Sequence, residues 1–567
     1  MEPSTDRPNE GRSRQLRRYG PVIAIVVIAA VVGAVVLFTS GGDDAQQTTA
    51  RDQGNAPTRA ISFSRAEREG LEVEFSESCD KETGRIALPY FFRPECYANV
   101  EDNGGATAEG VTKDAIKVVV YLGAEQDPIL EFITAAIKNE DTTEQVKETF
   151  LGYDEIFGSL YQTYGRDVEI EFVQATGTIV DEVAARADAQ RAIAKKPFAV
   201  WGGPTGTSAW ADELAANKII CLSCTGGAFN DWWEQRDPYA ISVVPSGEQI
   251  ALVLSEFVEK QLAGRKAAYA GDPALQGRER KFGSIYAETG EESAKLAGLF
   301  KDTLAGKGVE LSEQIAYTID PARLQEQGAA MVGRLKAAGV TTVFFTGDPI
   351  APRTFTEEAT RQEYFPEWVI NGSILTGVAA FGRTYDQRQW AHAFGITAGA
   401  ARIREEQGGE IWKLHEWYHG GRPPAAKDTY GVLWFQPAVF YAALQAAGPD
   451  LTPETFRDGL FAGGPTERVI TNVSVSWGRK GIWPKVDYNG VDDFTLVWWD
   501  PQAEGPDEIR KPGRGLYQFV DGGKRYLPGE FPNAPPKMFD PAGAVALYSE
   551  IPAAERPPDY PPPKRTE

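Results

Sequence analysis

Residues 415–419 read HEWYH, two histidines at the spacing that zinc peptidases use to hold their metal, with a glutamate between them as general base. On a helix His415 and His419 stand one turn apart. A catalytic zinc needs a third protein ligand as well. Of the 3 histidines the remaining one, His392, lies upstream, so a downstream acid such as Glu454 would have to complete the set. Gly420 and Gly421 end the helix directly after His419, and Pro423 and Pro424 prevent a restart. The metallopeptidase stays a remote alternative. No metal, cofactor or catalysis is expected, and both histidines are read as surface or half-buried side chains on a peripheral helix.

Two other sets of residues carry chemistry. The 4 cysteines are Cys79, Cys96, Cys221 and Cys224. Three pairings are open to them, and joining near neighbours gives Cys79–Cys96 and Cys221–Cys224. Cys221 lies inside or just after an apolar strand in KIICLSCTGG, without the helix start behind it that a redox pair needs. Structural cysteines, bonded or unpaired, are the reading. The stretch WGGPTGTS (201–208) sets Gly202, Gly203, Thr205 and Thr207 between a strand and a helix. Backbone N–H groups, hydroxyls and a helix N-terminus there suit an anion such as a carboxylate. The same residues serve equally as caps of the helix beginning near Ser208. No lysine follows the glycines, which argues against a phosphate-binding P-loop.

The elements that position these residues follow a regular alternation. AIKVVVYLG (115–123), VEIEFVQA (168–175), PFAVWGG (197–203) and IICLSC (219–224) are short strand-like runs, each followed by a helical pattern or a turn. After DPYAISVVPS (237–246) the rhythm restarts, with strands in KFGSIYAET, ELSEQIAYT, TTVFFTGD and EWVINGS. Near-continuous apolar strands alternating with helices mean parallel sheets covered on both faces. Two such runs predict two doubly wound lobes with a crevice between them, where ligands bind beyond the carboxyl ends of the strands. A further β segment is expected at VDDFTLVWWD (491–500), and the Pro-rich tail is read as extended or disordered.

The 567 residues carry a formal charge of -22, with 42% hydrophobic and 11% aromatic content. The length demands more than one lobe, and the composition supports a large core. The acidity excludes nucleic acid as a partner, because phosphates require a basic surface. Residues 21–38, PVIAIVVIAAVVGAVVLF, carry no charge and are long enough to cross a bilayer as a helix. Arg7, Arg12, Arg14, Arg17 and Arg18 precede them, so the remainder is expected outside the cell. A cleaved signal peptide is the alternative, but no Ala-x-Ala site follows.

The order and spacing of these segments resemble the type 1 periplasmic binding proteins, the leucine/isoleucine/valine-binding family of ABC-importer solute receptors. The resemblance spans roughly residues 110–500 and is carried by GVTKDAIKVVVYLG, EIEFVQATGTIVDEVAARADAQRAIAKKPFAVWGG, DPYAISVVPSGEQIALVLSEFV and GRPPAAKDTYGVLWFQPAVFYAALQAAG. The prelude CDKETGRIALPYFFRPECYANVEDNGGATAEGVT is similar to an extension of actinobacterial members. The resemblance implies an α/β fold of two doubly wound parallel-sheet lobes behind an N-terminal transmembrane helix, closing by hinge motion on a small molecule. The expected division is a basic segment at 1–19, an anchor at 20–39, and a tether with the cysteine extension at 40–113. Lobe 1 is expected at 114–242 and 376–500, lobe 2 at 243–375, and a C-terminal extension at 501–567.

By the same resemblance the ligand is held by Tyr121, Gln126, Gly203, Thr205, Thr207, Cys224 and Thr225 of the first lobe. Glu288, Thr289, Asp348 and Asn371 of the second lobe complete the set. Amino-acid binders of the family carry an acid near the end of the last lobe-2 strand, where this chain reads VINGSILTG. They also carry an aromatic residue at the place of Thr289. Both departures speak against an amino acid ligand. The expected function is transfer of a small polar molecule, of the amino acid, amide, urea or carboxylate class, to ABC permease subunits. A ligand-sensing or scaffold domain without transport is the alternative.

Overall fold

The structure, a computed structural model, describes residues 59–563 apart from 91–92, 226–228, 321, 373–374 and 405–409. The expected anchor at 20–39 and most of the tether lie outside the described residues. Among those residues no helix is long and apolar enough to cross a membrane.

The β-branched run of Ala115–Leu122 forms strand β1, and Val118, Val119 and Val120 within it are fully buried, as a strand covered on both faces must be. Parallel partners are β2 (Asp167–Gln174), β3 (Ala199–Trp201), β4 (Ile220–Leu222) and β5 (Ala240–Ile241), in the order β2-β1-β3-β4-β5. Helix α1 (Pro128–Ile137) starts with Pro at its first turn behind an Asp127 cap. Helix α2 (Thr143–Leu160) opens with a Thr142/Gln145 capping box and buries Val146, Phe150, Tyr153, Phe157 and Leu160 at three- and four-residue spacing. Helices α3 (Glu182–Ile193) and α4 (Ala209–Ala216) complete the first lobe's βα run.

A second capping box, Ser246 with Gln249, starts α5 (Gly247–Phe257) and the second lobe. Its strands are β6 (Phe282–Ala287), β7 (Leu311–Tyr317), β8 (Thr342–Thr346), β9 (Glu367–Asn371) and β10 (Ala393–Thr397), alternating with α6 (Glu291–Gly306), α7 (Leu324–Ala337) and α8 (Ala351–Arg361). The sheet continues with β11 (Phe494–Pro506), β12 (Pro512–Phe519) and β13 (Arg525–Tyr526). Its path is β12-β11-β10-β9-β8-β6-β7, with β13 on β11 and the β12-β11-β10 portion antiparallel.

The expected block 376–500 is therefore divided between the lobes. Short helices at Ala379–Gly382 and Gln387–Trp390 cover the second sheet, and β10 then pairs parallel to β9, a local crossover that keeps the chain in lobe 2. Only afterwards does it return to lobe 1, where α9 (Glu410–Tyr418), α10 (Phe435–Ala447) and α11 (Pro453–Ala462) form, and α9 and α10 pack on α2. It crosses back for β11. The expected boundary at 500 falls inside β11, because the β11–β12 hairpin satisfies the open edge of β10. The Pro-rich tail is extended and tied down. Glu555 accepts from the Thr471 hydroxyl at 2.6 Å, the Tyr560 hydroxyl donates to Asp80 at 2.6 Å, and the Tyr560 carbonyl accepts from Trp417 at 2.8 Å.

Both near-neighbour disulfides, Cys79–Cys96 and Cys221–Cys224, are present. The first closes a loop with a sequence separation of 17 and steadies the prelude, where local structure is limited to a two-residue strand pair. Loop-closure entropy assigns such a bridge about 3 kcal/mol.

Candidate ligand site between the lobes

Several of the residues expected to contact ligand have structural partners within their own lobe. Tyr121 is 2% exposed and packs edge-on against Trp210, 4.8 Å between ring centroids, inside the first lobe. Gln126 faces solvent. Next to it the fully buried Asp127 accepts from the N–H groups of Ile129 and Leu130, and from Ile179 at 2.8 Å. It thereby fastens the loop after β1 to the loop after β2. The Asp-Pro pair before a helical run was the legible sign of that cap.

In WGGPTGTS the capping function prevails for Thr207. Its hydroxyl accepts from the Ala209 N–H at 3.1 Å, and its carbonyl accepts from the Thr225 hydroxyl at 3.2 Å. Gly203 is required by close packing, because a Cβ there would collide with the Cys224 carbonyl and approach Trp210 to 2.7 Å. Thr205 is half-buried. Cys224 is buried in its disulfide. Gly226, Gly227 and Ser373 of the expected loops lie outside the described residues.

Glu288 and Thr289 are exposed. Asn371 is buried and donates to the Phe345 carbonyl and the Thr346 hydroxyl, both at 2.7 Å, which joins the ends of β8 and β9. Asp348 caps α8 by accepting from Ile350 and Ala351, and it accepts from the Tyr317 hydroxyl at 2.5 Å. It borders a small space between the lobes. There Ile129 and Ile133 of α1 face Ile319, Leu324 and Ile350 across about 20 Å³, room for about one water.

A larger cavity of about 260 Å³ lies elsewhere between the lobes. The first lobe's side offers Ile137 and Asn139 after α1, and Tyr430, Val432 and Trp434 before α10. The second lobe offers Leu375, Val378 and Phe381 after β9, Thr397 at the end of β10, Ile509 in the β11–β12 turn and Phe519 at the far end of β12. Tyr90 of the cysteine extension closes one wall, edge-on to Trp434 with ring centroids 5.7 Å apart. Sequence reasoning missed this group because its second-lobe wall includes β10 and the β11–β12 hairpin, whose placement depends on long-range pairing.

Charged groups at the cavity are engaged with one another. Asp428 meets Lys511 at 3.2 Å, Asp507 meets Arg383 at 2.9 Å, and Glu508 meets Arg402 at 3.4 Å. Burial, followed by the Glu508 charge, raises the Asp507 carboxyl above its ordinary range. The Arg510 guanidinium lies over both Trp412 and Tyr430, 4.3 and 5.1 Å from ring centroids that are themselves 5.0 Å apart.

The HEWYH motif lies apart from this cavity, on α9. Both histidines are buried, 6% and 5% exposed, which corrects the surface or half-buried expectation. They pack 4.2 Å apart against α2 at Gly152, because the missing side chain there leaves room for two rings. His415 Nδ1 lies 2.9 Å from the Arg422 carbonyl, and His419 Nε2 lies 3.1 Å from the Gly152 carbonyl. Glu416 points instead to the Trp412 indole N–H, at 2.8 Å. Among the described residues no group of three His, Cys, Asp or Glu side chains is placed to hold a metal. Gly420 and Gly421 take positive φ and end the helix, as expected.

Burial lowers the His415 pKa from 6.5 to about 4. Between those values the unfolded chain binds the proton and the folded one does not, so this site's contribution to stability is lost as pH falls. The wild-type protein should be about 3 kcal/mol less stable at pH 4 than at pH 8 through His415. In urea titrations His415→Phe should show a shallower loss on that acid limb. An acid limb identical to the wild type's would show that His415 is not its source.

No family model matches this chain, and a search of curated proteins returns no match. Among solved structures, the ABC transporter substrate-binding protein from Sphaerobacter thermophilus is similar over 74% of this chain and 100% of its own, with 12% identity and a TM-score of 0.50. A solute binding protein of an ABC transporter from Rhodopseudomonas palustris BisB5, in complex with 3,4-dihydroxy benzoic acid, is covered over 97% by 73% of this chain, with 14% identity and a TM-score of 0.48. The branched-chain amino acid transporter substrate binding protein from Streptococcus pneumoniae, in complex with isoleucine, is covered over 100% by 72% of this chain, with 12% identity and a TM-score of 0.47. The α/β architecture matches the type 1 periplasmic-binding-protein fold. At these identities the likeness is one of fold.

Proposed function

We propose that this chain is the solute-binding component of an ABC importer, tethered outside the cell by the apolar segment at 20–39. It takes a small molecule between its lobes and delivers it to permease subunits. The observation that carries the reading is the 260 Å³ cavity, whose walls come from both lobes of a two-lobed α/β fold. A ligand touching both walls favours the closed arrangement over the open one, and a partner can sense that difference. Binding rather than catalysis is the role.

A thermal-shift screen of the full chain tests the reading, with amino acids, amides, ureas, small carboxylates and neutral ring compounds. A ligand at a hundred times its Kd should add about 2.7 kcal/mol to stability. Crosslinking in membranes should then recover permease subunits. A ligand without a permease partner would favour a sensing domain, and no ligand in any class would sink the solute-binding reading.

A further inference from the structure

We infer that the interlobe cavity takes a neutral, largely apolar molecule of one or two rings, and that it rejects free amino acids and other charged solutes. The inference rests on the solute-binding reading and narrows it. Its basis is the way the cavity's charges are already matched.

Three carboxylates line the cavity, and all six of their oxygens are engaged. Asp428 Oδ1 meets Lys511 at 3.2 Å, and its Oδ2 accepts from the Glu140 N–H at 2.9 Å. Asp507 Oδ2 accepts from Arg383 at 2.9 Å, and its Oδ1 accepts from the N–H groups of Ile509 and Lys511 at 3.1 and 2.8 Å. Glu508 Oε1 meets Arg402 at 3.4 Å, and its Oε2 accepts from the Ala380 N–H at 3.1 Å. A ligand ammonium would have to share an oxygen whose charge is already answered by a cation or a backbone N–H. Removing an ammonium from water without a carboxylate to receive it is strongly unfavourable.

An anion gains little, because Lys511, Arg383 and Arg402 are already paired with these three carboxylates. The lining guanidiniums are also occupied. Arg402 donates to the Pro506 carbonyl at 2.9 Å besides meeting Glu508, and Arg510 lies over the Trp412 and Tyr430 rings. Phe381, Phe519, Trp434, Leu375, Val432 and Ile509 supply the apolar share of the remaining wall and reward apolar contact, beside neutral polar side chains such as Asn139, Thr397 and Asn472. A volume of about 260 Å³ limits the guest to roughly one or two rings.

Four indoles with one ring system and different charge separate these alternatives. They are 3-methylindole (neutral), tryptamine (cation), indole-3-acetate (anion) and tryptophan (zwitterion). Each is titrated calorimetrically into the full chain in detergent. The expected result is saturable one-to-one binding of 3-methylindole, at least tenfold tighter than any charged analogue. Ile403→Trp, which fills the cavity from its half-buried rim, should abolish it. Val432→Phe fills it from the opposite wall and stands in if the first variant does not fold. A charged analogue binding as tightly as 3-methylindole overturns the inference, and so does neutral binding that survives both substitutions. If no indole binds while an amino acid, urea or acid from the screen stabilises the chain, the inference falls and the solute-binding reading stands. If nothing binds, both fall.

Discussion

Arg525→Met should lower the unfolding free energy by about 3–5 kcal/mol, the usual consequence of leaving a buried carboxylate without its cation. Arg525 and Asp493 are 2% and 0% exposed, with Nε donating to Oδ1 at 2.8 Å. The same guanidinium donates to the Ala398 and Gly399 carbonyls at 2.9 Å and to the Asp493 carbonyl at 3.0 Å. It therefore holds the end of β10 to the start of β11, on the cavity's second-lobe wall. Removing it strands a charge beside Asp492, whose carboxyl burial has already pushed well above its ordinary pKa. Adding Asp493→Asn in the variant should restore part of the loss, because Asn still accepts from the Ser474 N–H that meets Asp493 Oδ1 at 2.9 Å. Urea denaturation of the four members of the cycle checks this. A single-variant loss below about 1 kcal/mol would mean the pair is solvated rather than buried.

Asp487→Asn should have the opposite sign, and its size should depend on pH. Asp487 is 3% exposed and accepts from Gln249 at 2.9 Å and from the Asn489 N–H at 2.8 Å, both at Oδ1. Its Oδ2 has no hydrogen-bond partner among the described residues. Burial raises the carboxyl from 3.8 to about 7. A raised folded pKa means that this site's stability is fully present below 3.8 and is lost as pH rises through 7. The isosteric amide keeps the Oδ1 contacts and cannot ionise. The variant should match the wild type within about 1 kcal/mol at pH 4 and exceed it by about 4 kcal/mol at pH 8. Chemical denaturation at the two pH values reads the difference directly. A pH-independent difference would rule out ionisation as its cause.

Both sites lie in the stretch between α11 and β13, where the chain leaves lobe 1 and enters the second sheet. Asp487 is held by Gln249 at the start of α5, while the neighbouring Trp477 indole donates to the Ser242 carbonyl at 2.8 Å. Two buried polar constraints thus lie where the chain passes between lobes. Changes there should also alter how the lobes move relative to each other.

Much of the architecture was legible because it is local. Strand β1 follows from eight consecutive residues of β-branched and apolar character, and α2 from a capping box and a three-four stripe. The alternation through β9 yields parallel sheets because a helix follows each strand and returns the chain to start the next strand in the same direction. The cysteine pairs join near neighbours, and Gly420–Gly421 announces the end of α9. These are effects of side-chain shape, backbone freedom and spacing within about twenty residues.

Tertiary structure decided the rest, since it depends on what distant segments meet. Whether β10 belonged to one lobe or the other turned on the open edge of β9, and the β11–β12 hairpin then completed that edge from about a hundred residues away. Thr207 looked equally able to hold a ligand or cap a helix until its N–H partner was in place, and the capping contacts of Asp348, expected at the ligand, appear only in the folded chain. The HEWYH histidines were expected at the surface or half-buried, and only Gly152 of another helix makes room to bury both rings. The cavity is the fullest case: Tyr90, Trp434, Phe381 and Ile509 come from four separate parts of the chain, and its three carboxylates are silenced by cations that only folding brings within 3.4 Å. Spacing in a sequence states which groups can act. Burial and neighbouring charge, which exist only after the chain has folded, determine which of them remain available.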